Sequence, residues 1–449
     1  MHAYPHGHVF YRRLTKSFPR IVRGEGCWLE DADGKRYLDA VGGAFVASLG
    51  HGSPEIADAL ADQARQVAYV NGTAFTTEPA EALATELAPT LPGDLSHLYF
   101  LSSGSEAVEA ALKLARLYWV ERGAPRKHKI IALSPAYHGN TLLALSASAR
   151  EHYQTVFQSW LVDVMRVPVP CYRCACRGDD ARCPTCTGAV LEEAIVQAGA
   201  DTVAAFIAEP VGGSSTGAAV PRPDYFRVVR DVCDRHEVLF IADEVLCGAG
   251  RTGTWWAIEP FGVAPDLMTI GKGIAGGYAP LSGVAAPRRI VDVLAEGSGA
   301  LLHAQTFSFH PVACAAGLAT VRALKARKLV QRCAELGGLL QAKLAGLAGL
   351  PHVGAARGRG LLAGVEFVND TKTGAPLPRA LRFAETFAEQ ALAAGLVVWP
   401  NVGHVDGKTG DLVMLAPPFI VTGEELDEIV TRFATALDRT LSTLAAGVV

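Results

Sequence analysis

Thr269-Ile270-Gly271-Lys272-Gly273-Ile274-Ala275-Gly276-Gly277 continues the apolar run that begins at Leu267. A single lysine at the mouth of a buried strand, flanked by glycines that let another molecule approach the backbone, is badly placed for packing and well placed for covalent chemistry. A second apolar run, Leu239 to Ala242, ends in Asp243-Glu244-Val245, and a third, His97 to Leu101, leads into Ser102-Ser103-Gly104-Ser105-Glu106-Ala107. Taken singly, each has an ordinary use: a solvated loop lysine, a carboxylate paired with Arg251, a serine capping a helix. Taken together, each lies at the carboxyl end of a strand, where an open parallel α/β sheet gathers its ligands.

The three segments match what pyridoxal phosphate requires. That cofactor needs an amine to hold its aldehyde, a carboxylate to keep its ring nitrogen protonated, and an anion cradle for its phosphate. Lys272 and Asp243 are the amine and the carboxylate. Ser103, Gly104 and Ser105 open the helix-like stretch Glu106 to Glu121, whose amides and dipole favour an anion.

Further motifs run in order along the chain: Trp28-Leu29-Glu30-Asp31-Ala32-Asp33-Gly34-Lys35-Arg36-Tyr37-Leu38-Asp39, Tyr137-His138-Gly139, Glu209-Pro210-Val211, Gly250-Arg251-Thr252-Gly253, Thr306-Phe307-Ser308 and Ala416-Pro417-Pro418. With the first three segments they resemble the class III aminotransferases, or ω-aminotransferases, of the fold-type I pyridoxal-phosphate enzymes. The resemblance implies an α/β fold with a mostly parallel central sheet, flanking helices and a smaller α+β domain. It implies that Lys272 is the Schiff-base lysine and Asp243 the partner of the pyridine nitrogen. It places Val245 and Tyr137 on opposite ring faces, His138 and Glu209 near the cofactor, and Thr306 at the phosphate of a neighbouring subunit, in a homodimer with shared sites or a larger assembly. Trp28 and Tyr69 are candidates for the donor pocket.

Composition agrees with an enzyme acting on small molecules. Half of the 449 residues are apolar, enough for a large core, and the net charge of −4 offers no basic field to nucleic acid. No basic segment joined to an apolar stretch opens the chain, and Ile130 to Ala149 is interrupted by Pro135, His138, Gly139 and Asn140, so a cytoplasmic protein without a membrane partner is expected. Apolar runs at 97–101, 129–133, 203–208, 238–242, 267–270 and 281–286 alternate with amphipathic stretches at 105–122 and 222–236. The expected organisation is a large cofactor-binding domain over 55–320 and a small domain made of 1–54 and 321–449. In the latter, helices are expected over 323–346, 379–394 and from Gly423, and strands over 361–367 and 396–399. Gly358-Arg359-Gly360 with Gly364 has the wrong spacing for a dinucleotide fingerprint, and Gly271-Lys272-Gly273 lacks the remainder of a P-loop.

Five of the ten cysteines fall in Cys171-x-x-Cys174-x-Cys176 and Cys183-x-x-Cys186, a spacing suited to a small structural zinc site on Cys171, Cys174, Cys183 and Cys186. Reduced cysteines without metal, and disulfides, are the other readings. For substrates, glutamate-using members of the resembled family often carry Gln, Glu and Arg at positions that here hold Leu246, Gly212 or Gly213, and Met414. No arginine lies between Arg382 and Arg432. The expected reaction is amino transfer from an ω-amino acid or amine to a keto acid, with pyruvate the acceptor, and His404 or Lys408 standing in at the substrate carboxylate. Aminomutase, racemase or lyase chemistry, a 2-oxoglutarate-linked enzyme of 4-aminobutyrate type, and a zinc-stabilised interaction protein on an inactive fold are the alternatives.

Overall fold

The computed structural model describes residues 7–170 and 183–446, apart from the side chain of His152. Its centre is a seven-stranded sheet in the order Leu95–Leu101, Ser282–Pro287, Leu267–Ile270, Leu239–Asp243, Val203–Ala208, Lys129–Ser134 and Met165–Pro168. Only Ser282–Pro287 runs against the rest. The apolar runs of the sequence account for six of these strands. Met165–Pro168, four residues long at the sheet edge, has too little apolar character to announce itself.

Two-residue alternation divides the sheet's side chains between two cores. Phe206, Phe240 and Met268 point to one face, with Phe226 and Val229 of the helix Tyr225–Arg235. Ile207, Ile241 and Leu267 point to the other, against Val108, Ala111 and Ala115 of the helix Gly104–Glu121. Burial on both faces explains why these strands read as continuous apolar runs.

The remaining strands form two smaller sheets. Ile21–Glu25, Trp28–Asp31 and Arg36–Asp39 make an antiparallel ribbon, and Arg36–Asp39 also pairs in parallel with Leu396–Val397, which joins the two ends of the chain. Val353–Arg359, Leu362–Asp370, Asp411–Leu415 and Trp399–Val402 form an antiparallel sheet. Phe367 of this sheet stacks against Phe383 and Phe387 of the helix Phe383–Ala393 and Phe433 of the helix Gly423–Ala446. The helix expected over 323–346 is two helices, Pro311–Ala326 and Leu329–Ala345, parted where Lys328 adopts a left-handed backbone (φ 50°). That break has no glycine or proline to mark it. The expected helix over 379–394 begins only at Phe383, because a short turn at Arg379–Leu381 comes first. Among the described residues no helix is long and apolar enough to cross a membrane.

The end of the sheet away from the strand tips is tied by one cation. The ammonium of Lys127, 5 % exposed, donates to the carbonyls of Ala200 (3.1 Å), Val203 (3.3 Å), His236 (3.2 Å) and Glu237 (2.7 Å), and lies 4.6 Å from the ring centre of Trp119. Lys127→Met would leave buried carbonyls unpaired, at a cost of about 2–4 kcal/mol. The variant should unfold at a clearly lower temperature in calorimetry while keeping its specific activity at 25 °C, since every group around Lys272 lies at the opposite end of the strands.

Candidate active site

Five strand ends or the turns just beyond them meet on one side of the central sheet. Lys272 begins a short 3-10 turn, Lys272–Ala275, after Gly271, with its own backbone in the left-handed region (φ 46°). A non-glycine residue there is strained, a state associated with sites whose surroundings fix one side-chain direction. Burial pushes the Lys272 ammonium below its ordinary pKa, against the opposing pull of Asp243, Glu209 and Cys247. The neutral amine is thereby favoured.

Asp243 closes the neighbouring strand and is held on both oxygens. Its Oδ1 accepts the Thr269 hydroxyl (2.9 Å) and the Val245 amide (3.1 Å), and its Oδ2 lies 2.6 Å from His138 Nδ1. A carboxylate facing Nδ1 places the imidazole proton on that nitrogen, leaving Nε2 to accept. His138 Nε2 is buried without a hydrogen-bond partner among the described residues. Glu209, 8 % exposed, accepts the amides of Gly213 (2.9 Å) and Tyr137 (3.3 Å). Burial first, and then the charge of Asp243, push its pKa up to about 7. Glu209 can therefore hold a proton near neutrality.

Ser103 caps the helix Gly104–Glu121 through a reciprocal arrangement. The Ser103 hydroxyl accepts the Glu106 amide (3.3 Å), while Glu106 Oε2 accepts the amides of Ser102 (2.9 Å) and Ser103 (3.0 Å). The first-turn amides left without an intrahelical partner belong to Gly104 and Ser105. A side chain at Gly104 would come within 2.7 Å of Val245, so only glycine lets the helix start approach the strand tip. Ser105 is fixed in turn by Asn140, whose amide reaches its hydroxyl at 3.1 Å.

Gly104, Ser105, Tyr137, His138, Gly139, Glu209, Ser214, Asp243, Val245, Leu246 and Lys272 line one cavity of about 230 Å³. It joins a wider one of about 520 Å³ that shares Tyr137, Ser214, Leu246 and Lys272 and is otherwise walled by Arg12, Ala44, Phe45, Asn140, Leu145, Arg150, Tyr153, Phe157 and Trp399. The smaller cavity has a desolvated amine, a fixed acid, an unpartnered imidazole nitrogen and an anion-accepting helix start. That donor set suits a phosphorylated aldehyde with a basic ring nitrogen.

Of the residues singled out from the sequence, Gly104, Ser105, Tyr137, His138, Glu209, Asp243, Val245 and Lys272 line this cavity, and Ser103 caps the helix that opens onto it. Thr306 does not reach it. It lies exposed on a loop, where its carbonyl accepts the Tyr69 hydroxyl at 2.9 Å. Trp28 and Tyr69, expected at the donor pocket, lie away from both cavities of this chain. The Trp28 indole donates to Glu425 (2.8 Å) and is covered by Arg36, and Tyr69 packs beside Phe307, so neither borders either cavity. Nor do His404 and Lys408: His404 is buried against Glu366 (3.0 Å), and Lys408 pairs with Glu151 (3.4 Å). The expected zinc site finds no support. Cys171 and Cys174 lie outside the described residues, Cys183 and Cys186 flank the start of the short helix Pro184–Thr187, and no metal-holding group of His, Cys, Asp or Glu occurs among the described residues.

Sequence reading missed Thr269, although a hydroxyl inside Leu267-Met268-Thr269-Ile270 was a usable sign, because a polar group in a buried strand needs a partner. Arg12, Arg150 and Tyr153 carried no such sign.

The family model for class III aminotransferases matches residues 10–437. An aminotransferase of Schizosaccharomyces pombe is 40 % identical over 97 % of this chain and 96 % of its own. The putrescine–pyruvate aminotransferase of Pseudomonas aeruginosa is 34 % identical over 97 % of this chain and 94 % of its own. The crystal structure of a transaminase from the marine bacterium Virgibacillus superposes with a TM-score of 0.90 at 33 % identity, covering 98 % of each chain. The parallel sheet, the cavity at its strand tips and these likenesses agree, and the chain belongs to the class III aminotransferases, pyridoxal-phosphate enzymes of fold-type I.

Proposed function

We propose that this enzyme moves an amino group from an ω-amino acid or amine to a keto acid, with pyruvate as the acceptor and pyridoxal phosphate attached at Lys272. The observation that carries the reading is the convergence of Lys272, Asp243, Glu209 and the Gly104–Ser105 helix start on one cavity. The apolar wall at Leu246 and the pyruvate in the name of the Pseudomonas relative support the choice of acceptor.

When bound, the cofactor supplies an aldehyde that condenses with amines and a cationic ring that accepts an electron pair. The rest is done by side chains of the protein. The amides of Gly104 and Ser105 would receive the phosphate, and Val245 and Tyr137 would hold the ring between them. Asp243, oriented by Thr269, the Val245 amide and His138, would face the ring nitrogen and favour its protonated form. Lys272 Nζ would hold the aldehyde and, when free, would be placed to take a proton from the substrate carbon and deliver it to the cofactor carbon that bore the aldehyde. Burial, which lowers its pKa, favours the unprotonated nitrogen that can accept. Glu209, with a pKa near neutrality, can hold a proton beside it.

The proposal extends to a cytoplasmic homodimer in which Thr306 completes the neighbouring copy's phosphate site. Around Thr306, Tyr69, Phe75, Leu302 and Phe307 are 43 %, 67 %, 66 % and 51 % exposed, an apolar surface of the kind a second copy would cover. The division into 1–54 with 321–449 and 55–320 belongs to the same proposal; the pairing of Arg36–Asp39 with Leu396–Val397 supports it.

Lys272→Ala should abolish turnover, and borohydride should then fail to fix the cofactor to the peptide containing residue 272, as peptide mass spectrometry would show; retained turnover would refute the assignment. Asp243→Asn should lower kcat by on the order of 10²–10³, the usual loss for one preorganised electrostatic group. Mixed dimers of Lys272→Ala and Thr306→Ala chains should contain one complete site and exceed either parent in activity. No gain on mixing would count against a site shared between copies.

A further inference from the structure

The wider cavity beside Lys272 contains a cation that forms no ion pair among the described residues. Arg150 lines that cavity, and no ion pair or side-chain hydrogen bond engages its guanidinium among the described residues. It lies 5.7 Å from the ring centres of both Tyr137 and Tyr153. Its chain neighbour Glu151 is taken by Lys408 (3.4 Å), and Glu209 is committed to the amides of Gly213 and Tyr137. Arg12 approaches the same ring from another element, 5.4 Å from the Tyr153 centre, and donates to the Tyr153 hydroxyl. Two guanidinium groups therefore stand at one aromatic ring on one cavity wall.

A partly buried cation without a paired carboxylate is disfavoured, and here burial lowers the pKa of Arg150 despite the opposing pull of Tyr137 and Glu209. An arrangement of this kind becomes favourable when a ligand brings the missing charge, and a guanidinium offers a planar pair of donors fitted to a carboxylate. A guanidinium lying over an aromatic face keeps its N–H edges available for such a ligand. Together with the absence of arginine between Arg382 and Arg432, this gives the substrate carboxylate a partner from a different part of the chain.

We propose that Arg150, assisted by Arg12, binds the carboxylate of the keto-acid acceptor and of ω-amino-acid donors in the cavity above Lys272, and so determines substrate specificity. The assignment rests on the transamination reading above, and its test separates the two. With holoenzyme, the acceptors are pyruvate and butanal, the second lacking a carboxylate; 1-phenylethylamine is the donor. Arg150→Ala should raise KM for pyruvate on the order of 30- to 100-fold, the worth of one charge-assisted contact, and change that for butanal less than about threefold. Arg150→Lys, which keeps the charge without the fork, should recover part of the loss. In the unmodified enzyme, propanoate should compete with the amine at concentrations at least tenfold below those needed for propanamide. Equal losses on pyruvate and butanal in Arg150→Ala, or equal competition by propanoate and propanamide, would overturn the assignment, and borohydride fixation at Lys272 in the same preparations would show the transamination reading still standing. If fixation is absent in the unmodified enzyme, both readings are overturned.

Discussion

One amine and two carboxylates, all removed from water, share the cavity at the tips of the central strands, and their mutual electrostatics constrain everything around them. Burial alone would strip the charge from Lys272 and from both acids. The site resolves the conflict unevenly. Asp243 has two donors on one oxygen and an imidazole on the other, so its charge is supported by fixed dipoles. Glu209 has only two amides and is pushed up to about 7, and Lys272 is pushed down. Glu209, at about 7, is left able to hold or release a proton near neutral pH, and burial favours the neutral form of Lys272.

The parallel sheet makes this arrangement possible. Strands running the same way place their carboxyl ends at one edge, so residues separated by more than a hundred positions, His138 and Asp243 among them, come within hydrogen-bond reach. Both faces of the sheet are covered, so the edge is one of the few places where backbone amides remain available. The Gly104 helix start approaches Val245 closely enough that no side chain fits between them. Stability is supplied elsewhere, by the ring cluster around Phe367 and by the Lys127 ammonium at the far end of the strands, which leaves the tips free to carry strained and desolvated groups.

Much of this was legible in the sequence because the elements concerned obey local rules. A strand buried on both faces must be apolar throughout, and a helix opening onto an anion needs a capping serine and a small residue at its first position, so 203–208, 239–243, 267–270 and Ser103-Gly104-Ser105 could be placed by inspection. The resemblance to a family added roles to those positions. Elements without such a rule escaped: Met165–Pro168 at the sheet edge, and the break between Pro311–Ala326 and Leu329–Ala345, where an ordinary lysine takes a left-handed backbone. Aromatic residues such as Trp28 and Tyr69 carry no local rule either, because an aromatic side chain packs equally well in a pocket or away from one, and only its neighbours distinguish the two.

The sequence by itself determined the α/β order of elements and the identities of the amine, the acid and the helix start, since each follows from residue chemistry at a strand end. Tertiary structure alone decided which atoms touch them. Thr269 Oγ1 and His138 Nδ1 meet Asp243 on different oxygens, Glu209 is held by the amides of Gly213 and Tyr137, and Arg150 lines the adjoining wider cavity. The reason is physical: a hydrogen bond, a desolvation cost or an unpaired charge depends on what lies within a few ångströms in space, and separation along the chain says nothing of that until the sheet has folded.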